Sequence, residues 1–466
     1  MITILKEIGD NMGKHIDLTT GSIVDKLVKL AIPIMGVSFI QTAYNLIDMM
    51  WIGKLGSDAV AAVGTAGFFT WLAEAFIMIA KLGVTIKVSQ SIGRKDYDKT
   101  KAYIISGLQI NVVLAALYGI TLITFHNQLV DFFKLGNLEI IQMAKTYLIT
   151  VAIGMIFFFS GPVFSGIFNG MGDSKTPFII NTIGLIFNMI FDPVLIFGLG
   201  DFPRLGVLGA ALATVTAQVI VTACFIIALI RKNVSFLTLN ILKRPKWNLI
   251  REIAHIGLPG ALQSGLFTTF SMIIGRLVAN WGATPIAAQK IGSQIEALSW
   301  LTAGGFSTAI STYVGQNYGA GKTERIHKGV RITMGLSVII GVATTLLLIF
   351  AGEPLMKIFV AETETIEIGK QYLLILGYSQ LFMCAEITIT GAFNGMGRTY
   401  LPNIISIVLT GSRIPLCLVL TKYLGLEGIW WSISITSVFK GIVLVAIYCY
   451  LSKQNKLIPK LLKASY

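Results

Sequence analysis

The 24 residues from Ala102 to Phe125, AYIISGLQINVVLAALYGITLITF, contain no formally charged side chain. Wound as a helix rising about 1.5 Å per residue, such a run crosses the ~30 Å hydrocarbon core of a bilayer. Comparable uncharged runs separate Lys145 from Asp173, Arg204 from Arg231, Glu296 from Lys322 and Arg331 from Glu353. Of the 466 residues, 54% are hydrophobic and only 13% charged, about half the charged share of a soluble domain. Inside lipid every backbone polar group must be satisfied within the protein, which leaves helices or closed barrels. The long apolar runs lack the strict alternation of a barrel strand. The chain therefore reads as an all-α polytopic membrane protein, and the soluble enzyme classes are excluded.

Working outward from that stretch, apolar blocks separated by charges, glycines and prolines place spans near 24 to 52, 58 to 92, 102 to 126, 139 to 170, 176 to 198 and 206 to 231. Six more follow near 248 to 281, 284 to 318, 326 to 352, 364 to 396, 399 to 422 and 425 to 452, giving twelve. The two sets are copies. Phe168-Asn-Gly-Met-Gly172 recurs as Phe393-Asn-Gly-Met-Gly397, 225 residues on, and each is followed by a proline, Pro177 or Pro402. At an offset of 226, Pro33 matches Pro259, Gly56 matches Gly282, Gln90 matches Gln316 and Gly93 matches Gly319. An even number of spans per copy inserts both with one orientation, so the repeats are parallel. The expected organisation is an N-terminal segment 1–23, a six-helix lobe 24–231, a linker 232–247, a second six-helix lobe 248–452 and a tail 453–466. A cleft between the lobes is expected.

The net charge of +14 could suggest nucleic acid, but the 37 lysines and arginines sit mainly in short connections and form no continuous basic face. Their distribution is topological. Lys6, Lys14, Arg94, Lys95, Lys175, the cluster from Arg231 to Arg251, Lys322 to Arg331, Arg398 and Lys453 to Lys463 fall on one side. Only Lys54, Lys134, Arg204, Arg276, Lys357 and Lys422 fall on the other. The expectation is a multi-pass protein of the plasma (inner) membrane with cytoplasmic termini and no cleavable signal peptide. Cys224, Cys384, Cys417 and Cys449 show no metal-ligand spacing and are expected to be small buried hydrophobes. His15, His126, His255 and His327 do not cluster, so no metal site is expected. The glycine-rich turns lack the Lys-Ser/Thr of a phosphate-binding loop, which argues against direct ATP use.

A charged group in the apolar zone needs a partner, a wet cavity or a function. Gln41, Tyr44, Asn45 and Asp48 recur at spacings of three and four and form one polar stripe on the first span. Asn181, Asn188 and Asp192, seven and four apart, share a face of the fifth. Two carboxylates in one lobe suit a shared cation or a shared proton, and composition does not choose between them. The alternative for each is a hydrogen-bonded carboxylate that locks helices together or caps a span. In the second lobe the ungapped match of Asp48 is Ile274, and Arg413 lies near the position of Asp192. Glu296, Glu386 and Arg413 are deep charges there, for which a Glu-Arg pair and attraction of a cationic substrate are the two readings. Glu74 and Lys81 are expected to balance each other or neighbours. Lys87, Lys145, Lys290 and Lys440 are assigned no role beyond snorkelling or lining water.

Several motifs resemble the multidrug and toxic compound extrusion (MATE) transporters over nearly the whole chain. Asn45-Leu-Ile-Asp-Met-Met-Trp-Ile-Gly53 with Gly56 resembles the family's first-helix signature. Gln90-Ser-Ile-Gly93 and Gln316-Asn-Tyr-Gly319 resemble its duplicated turns after spans 2 and 8. Gly166 to Gly172 and Gly391 to Gly397 resemble those after spans 4 and 10, departing at Asn169 and Asn394, where many members carry Arg. The resemblance implies a V-shaped pair of six-helix lobes, working as a monomer without a cofactor and exchanging H+ or Na+ for small amphipathic, cationic organic compounds. It also implies an ion site at Asp48, Asn188, Asp192 and Thr214. Gln41, Tyr44, Asn45, Glu296, Glu386 and Arg413 are candidates for the substrate cavity. Two other functions compete: a lipid-linked oligosaccharide flippase, which would favour a cavity rich in Arg and Lys, and a non-transporting receptor or scaffold.

Overall fold

The computed structural model describes residues 17–200, 202–231, 244–454 and 457. Most of the expected linker and tail, and residues 1–16 with His15, lie outside these. Sixteen helices account for the described chain: α1 (Ile23–Gly53), α2 (Ser57–Gly93), α3 (Tyr97–Asp131), α4 (Leu138–Ile153), α5 (Met155–Gly170), α6 (Lys175–Phe197), α7 (Val207–Arg231), α8 (Trp247–Ala279), α9 (Ala283–Gly319), α10 (Thr323–Phe350), α11 (Gly352–Lys357), α12 (Thr363–Gly377), α13 (Gln380–Gly395), α14 (Tyr400–Gly411), α15 (Arg413–Leu424) and α16 (Leu426–Lys453).

Eight segments are long and apolar enough to cross a membrane, α14 with α15 counting as one, and two bent pairs bring the number to ten. With α1 and α9, of 31 and 37 residues, each of the twelve blocks read from the sequence is a helix or a broken helix. The breaks have local causes. Between α4 and α5 the chain bends by 53° at Gly154, where a Cβ would stand 2.6 Å from Val215 Cγ2. Between α12 and α13 it bends by 51°. There the Ser379 hydroxyl and the Gln380 amide both donate to the Leu376 carbonyl, at 2.9 and 3.2 Å, beside the Ser379 N–H at 3.1 Å, so side chains join the backbone in satisfying the end of α12.

The chain divides into two compact units. Unit 1 contains 32–261 and unit 2 contains 18–31 with 262 onwards. The changeovers fall inside α1 and α8, each within three residues of a proline, Pro33 or Pro259. Proline removes an i→i−4 hydrogen bond at that point. In unit 1 the first half of α8 crosses α2 through Gly83 and Gly257, whose Cβ positions would collide with the Ile253 and Ile79 carbonyls. In unit 2 the chain before α1 is held by side chains. The Leu18 amide donates to Gln316 Oε1 at 3.2 Å, and Arg325 donates to the carbonyls of Leu18, Thr20 and Gly21.

The duplicated glycine motif has two jobs. Gly172 and Gly397 adopt positive φ, 85° and 78°, in the turns, where glycine avoids the Cβ penalty. Gly166 and Gly170, and their copies Gly391 and Gly395, lie inside α5 and α13. Added Cβ atoms would meet Lys81 and Thr85 on α2, or Ser307 and Ser311 on α9. These pairs are 226 residues apart, so each unit builds the same close helix crossing. Around it lies the core of unit 1, with Phe159, Phe168 and Phe225 fully buried; Trp430 and Phe393 are their counterparts in unit 2 by burial.

Candidate functional site

Unit 1 brings together oxygens from helices α1, α4, α6 and α7. On α6, Asn188 Nδ2 donates to Asp192 Oδ1 at 3.0 Å, and both residues are completely buried. Asp48 on α1 lies close enough to Asp192 for the two carboxyls to repel when charged. The Tyr44 and Tyr147 hydroxyls approach the Thr214 hydroxyl on α7. Five oxygens of this group, Tyr44 Oη, Asp48 Oδ1, Asn188 Oδ1, Asp192 Oδ2 and Thr214 Oγ1, are inaccessible and have no hydrogen-bond partner. A buried acceptor left unpaired costs about 1–3 kcal/mol. Three carboxyl or amide oxygens, Asp48 Oδ1, Asn188 Oδ1 and Asp192 Oδ2, beside two hydroxyls that approach each other, are therefore a reason for a ligand that accepts electron density from oxygen.

Thr214 departs from the usual habit of a helical threonine, since its hydroxyl has no backbone partner. Of the first-span stripe, Tyr44 and Asp48 turn into this group while Gln41 and Asn45 are exposed. Tyr147 is the member that sequence reasoning missed. It lies on α4 and is 5% exposed, and its one polar neighbour at helical spacing, Thr150, is turned back onto the Thr146 carbonyl of its own helix. Asn181 is separate, donating to the Pro177 carbonyl at 2.7 Å.

Unit 2 corresponds to unit 1 with a shift in register near its end. Thr222 donates to the Phe157 carbonyl, while the copy of Phe157, Phe382, receives Gly441 against its carbonyl. The last helix is therefore matched at an offset of 219 rather than 225. The contact of Gly209 with Leu195 and of Gly428 with Leu420 gives the same offset. At the offset of 225 that α6 and α15 keep, Asp192 corresponds to Cys417 and Asn188 to Arg413, one turn from the position of Asp192.

The deep charges Glu296, Glu386, Arg413 and Lys440 of unit 2 each have a partner. Lys440 Nζ lies 2.9 Å from Glu386 Oε2, with both residues under a tenth exposed, and the Ser406 hydroxyl donates to Glu386 Oε1 at 2.9 Å. Glu296 accepts from the Gln380 amide and the Tyr372 hydroxyl at 3.0 and 3.1 Å. Arg413 donates to Thr436 and Ser437 at 2.9 and 3.0 Å. The expected Glu-Arg pair is thus replaced by a Glu-Lys pair, because α16 brings Lys440 to the carboxylate that Arg413 does not touch. Elsewhere Lys87 pairs with Glu252 at 2.5 Å and Lys145 with Asp131 at 3.3 Å, and Glu74 feels Lys81 without touching it. Cys384 and Cys417 are buried as expected, Cys224 is half-buried, and Cys449 is exposed. No group of three or more His, Cys, Asp or Glu suited to a metal is found among the described residues.

An acidic pair on α1 and α6 thus lies inside one of two helical repeats. The chain matches the family described as MatE over 33–194 and 259–419. It belongs to the MATE family. It is similar, at 30% identity over 89% of this chain and 90% of the relative, to the "Probable multidrug resistance protein NorM" of Thermotoga maritima. It is also similar to the "Multidrug export protein MepA" of Staphylococcus haemolyticus, at 25% identity over 94% and 95% of the two chains. Among solved structures, that titled "Crystal structure of MATE in the bent conformation" matches with a TM-score of 0.87 at 23% identity, covering 95% of this chain and 98% of that one. Membership makes the chain a multi-pass membrane transporter, not an enzyme, and removes the receptor reading. The family profile covers one stretch in each half, in agreement with the internal repeat.

Proposed function

We propose that this MATE protein is a secondary-active multidrug exporter that exchanges H+ or Na+ for small amphipathic, cationic organic compounds by alternating access. The observation that carries the reading is the set of five unpaired buried oxygens around Asp48 and Asp192. Carboxyl, amide and hydroxyl oxygens are the donors a hard monovalent cation takes. Two neighbouring carboxyls are equally suited to share a proton.

In this reading the ion enters the unit-1 group, and its charge removes the repulsion between Asp48 on α1 and Asp192 on α6. Asn188 keeps Asp192 oriented, while Tyr44, Tyr147 and Thr214 supply or accept hydrogen bonds around the ion. Gln41 and Asn45, on α1 beside the ion group, remain available to a substrate. An ion and a cationic substrate that both depend on the charge state of Asp48 are coupled in their binding free energies, and each disfavours the other. Exchange then follows from differential affinity in the two access states.

The test is transport of ethidium-like cations into everted membrane vesicles under separately imposed pH and Na+ gradients. Uptake driven by at least one gradient is expected. No response to either, with folded protein and several substrates, removes the antiport reading.

A further inference from the structure

We infer that Lys440 is a tethered cation, so that unit 2 contains a site for a primary ammonium on Glu386 which the chain fills with its own side chain. The inference concerns binding within unit 2 and does not depend on the ion-exchange reading of unit 1. It starts from the register of the repeat. At offsets of 225 and 219, Glu386 corresponds to Gly161 and Lys440 to Val221. In unit 1 neither position is charged: a Cβ on Gly161 would lie 3.6 Å from Val221 Cγ1 and 3.6 Å from Gln218 Oε1. The common packing of α5 against α7, and of α13 against α16, therefore does not need an ion pair there. Unit 2 has placed one where unit 1 has a glycine and a valine.

Burying such a pair costs desolvation, and replacing a buried pair by apolar groups is often neutral or stabilising. Packing alone thus gives no reason for it. Its details are those of a bound ammonium. The Glu386 carboxylate is held from its other side by Ser406, leaving Oε2 for Lys440. Arg413 and Glu296 have their own partners, so neither competes for this carboxylate by direct contact. A lysine ammonium is a compact point charge on a flexible stem. Cutting the stem at Cβ leaves a carboxylate facing the space of three carbons and one ammonium, which is the size of n-propylammonium. Unit 1 thus has carboxylates at Asp48 and Asp192, where the repeat puts Ile274 and Cys417 in unit 2, while unit 2 has a carboxylate whose cation is built in.

The experiment is chemical rescue in purified protein. Thermal unfolding of Lys440→Ala is followed while n-propylammonium is titrated, with n-propanol as the uncharged control. A saturable rise in melting temperature is expected, absent in wild type and absent with n-propanol. Adding Glu386→Gln to Lys440→Ala should weaken the apparent affinity at least tenfold. No rise in Lys440→Ala, or an equal rise in the single and double variants, overturns the inference. If Lys440→Ala is not recovered folded, Lys440→Met keeps most of the volume and gives a second reading. It should melt below the Lys440→Met/Glu386→Gln double variant, because only the single variant leaves a carboxylate that has lost its cation. The opposite order overturns the inference as well.

Discussion

Asn188 Nδ2 donates to Asp192 Oδ1 across one turn of α6, at 3.0 Å, and leaves Asp192 Oδ2 without a partner. The amide thus fixes which carboxylate oxygen is free. Replacing it with alanine should leave the Asp192 carboxyl present but unoriented. For Asn188→Ala we expect the apparent affinity for the coupling ion to fall about tenfold, equivalent to ~1.4 kcal/mol, near the boundary between a neutral hydrogen bond and one to a charged group. Ion titration of substrate uptake in vesicles reads this directly, and an unchanged affinity would show that Asn188 only packs.

The crossing of α13 over α9 gives a prediction about stability. A Cβ at Gly391 would collide with the backbone carbonyl of Ser307, whereas Gly304 on α9 has nothing within 4 Å. Backbone cannot swing aside as a side chain can, so Gly391→Ala should destabilise by about 1–3 kcal/mol. Gly304→Ala should be neutral or slightly stabilising, since alanine is the better helix former. Gel filtration of the heated membrane extract compares them; equal survival of the two variants would contradict the close crossing.

Twelve apolar blocks were legible because lipid imposes one rule on every residue in a span, and Ala102 to Phe125 shows it without interruption. Asp48 with Tyr44, and Asn188 with Asp192, were legible because helical spacing brings residues of one helix to one face. Tyr147 was not, since its approach to Thr214, Asp48 and Asp192 is made across helices. Lys440 and Glu386 lie 54 residues apart on α16 and α13, and no periodicity links two helices. The exchange of the first turns of α1 and α8 between the units was hidden for the same reason, although Pro33 and Pro259 mark the places.

Arg325 holds the carbonyls of Leu18, Thr20 and Gly21, and Lys322 donates to that of Thr19 at 2.9 Å. These bonds come from charged donors, which are stronger than neutral ones. Arg325→Gln should raise amide hydrogen exchange at Leu18 at least tenfold while leaving the buried middle of α9 unchanged. Equal protection in the variant and wild type would mean that the segment is held by other contacts.

The charge asymmetry predicts topology. A cysteine introduced at Arg244 should react with an impermeant maleimide only in everted vesicles, and one at Gly200 only in intact cells. The reverse pattern would invert the orientation, and with it the direction of transport.

The central claim is that Asp48 couples the ion to the substrate. Asp48→Asn keeps shape and hydrogen-bonding capacity but neither exchanges a proton nor supplies a full charge to Na+. The most direct measurement is substrate uptake by Asp48→Asn and wild type reconstituted side by side in proteoliposomes, with the pH and Na+ gradients imposed one at a time. The account predicts loss of gradient-driven uptake in the variant, with thermal stability close to wild type. Uptake at the wild-type rate with the same gradient dependence would contradict it.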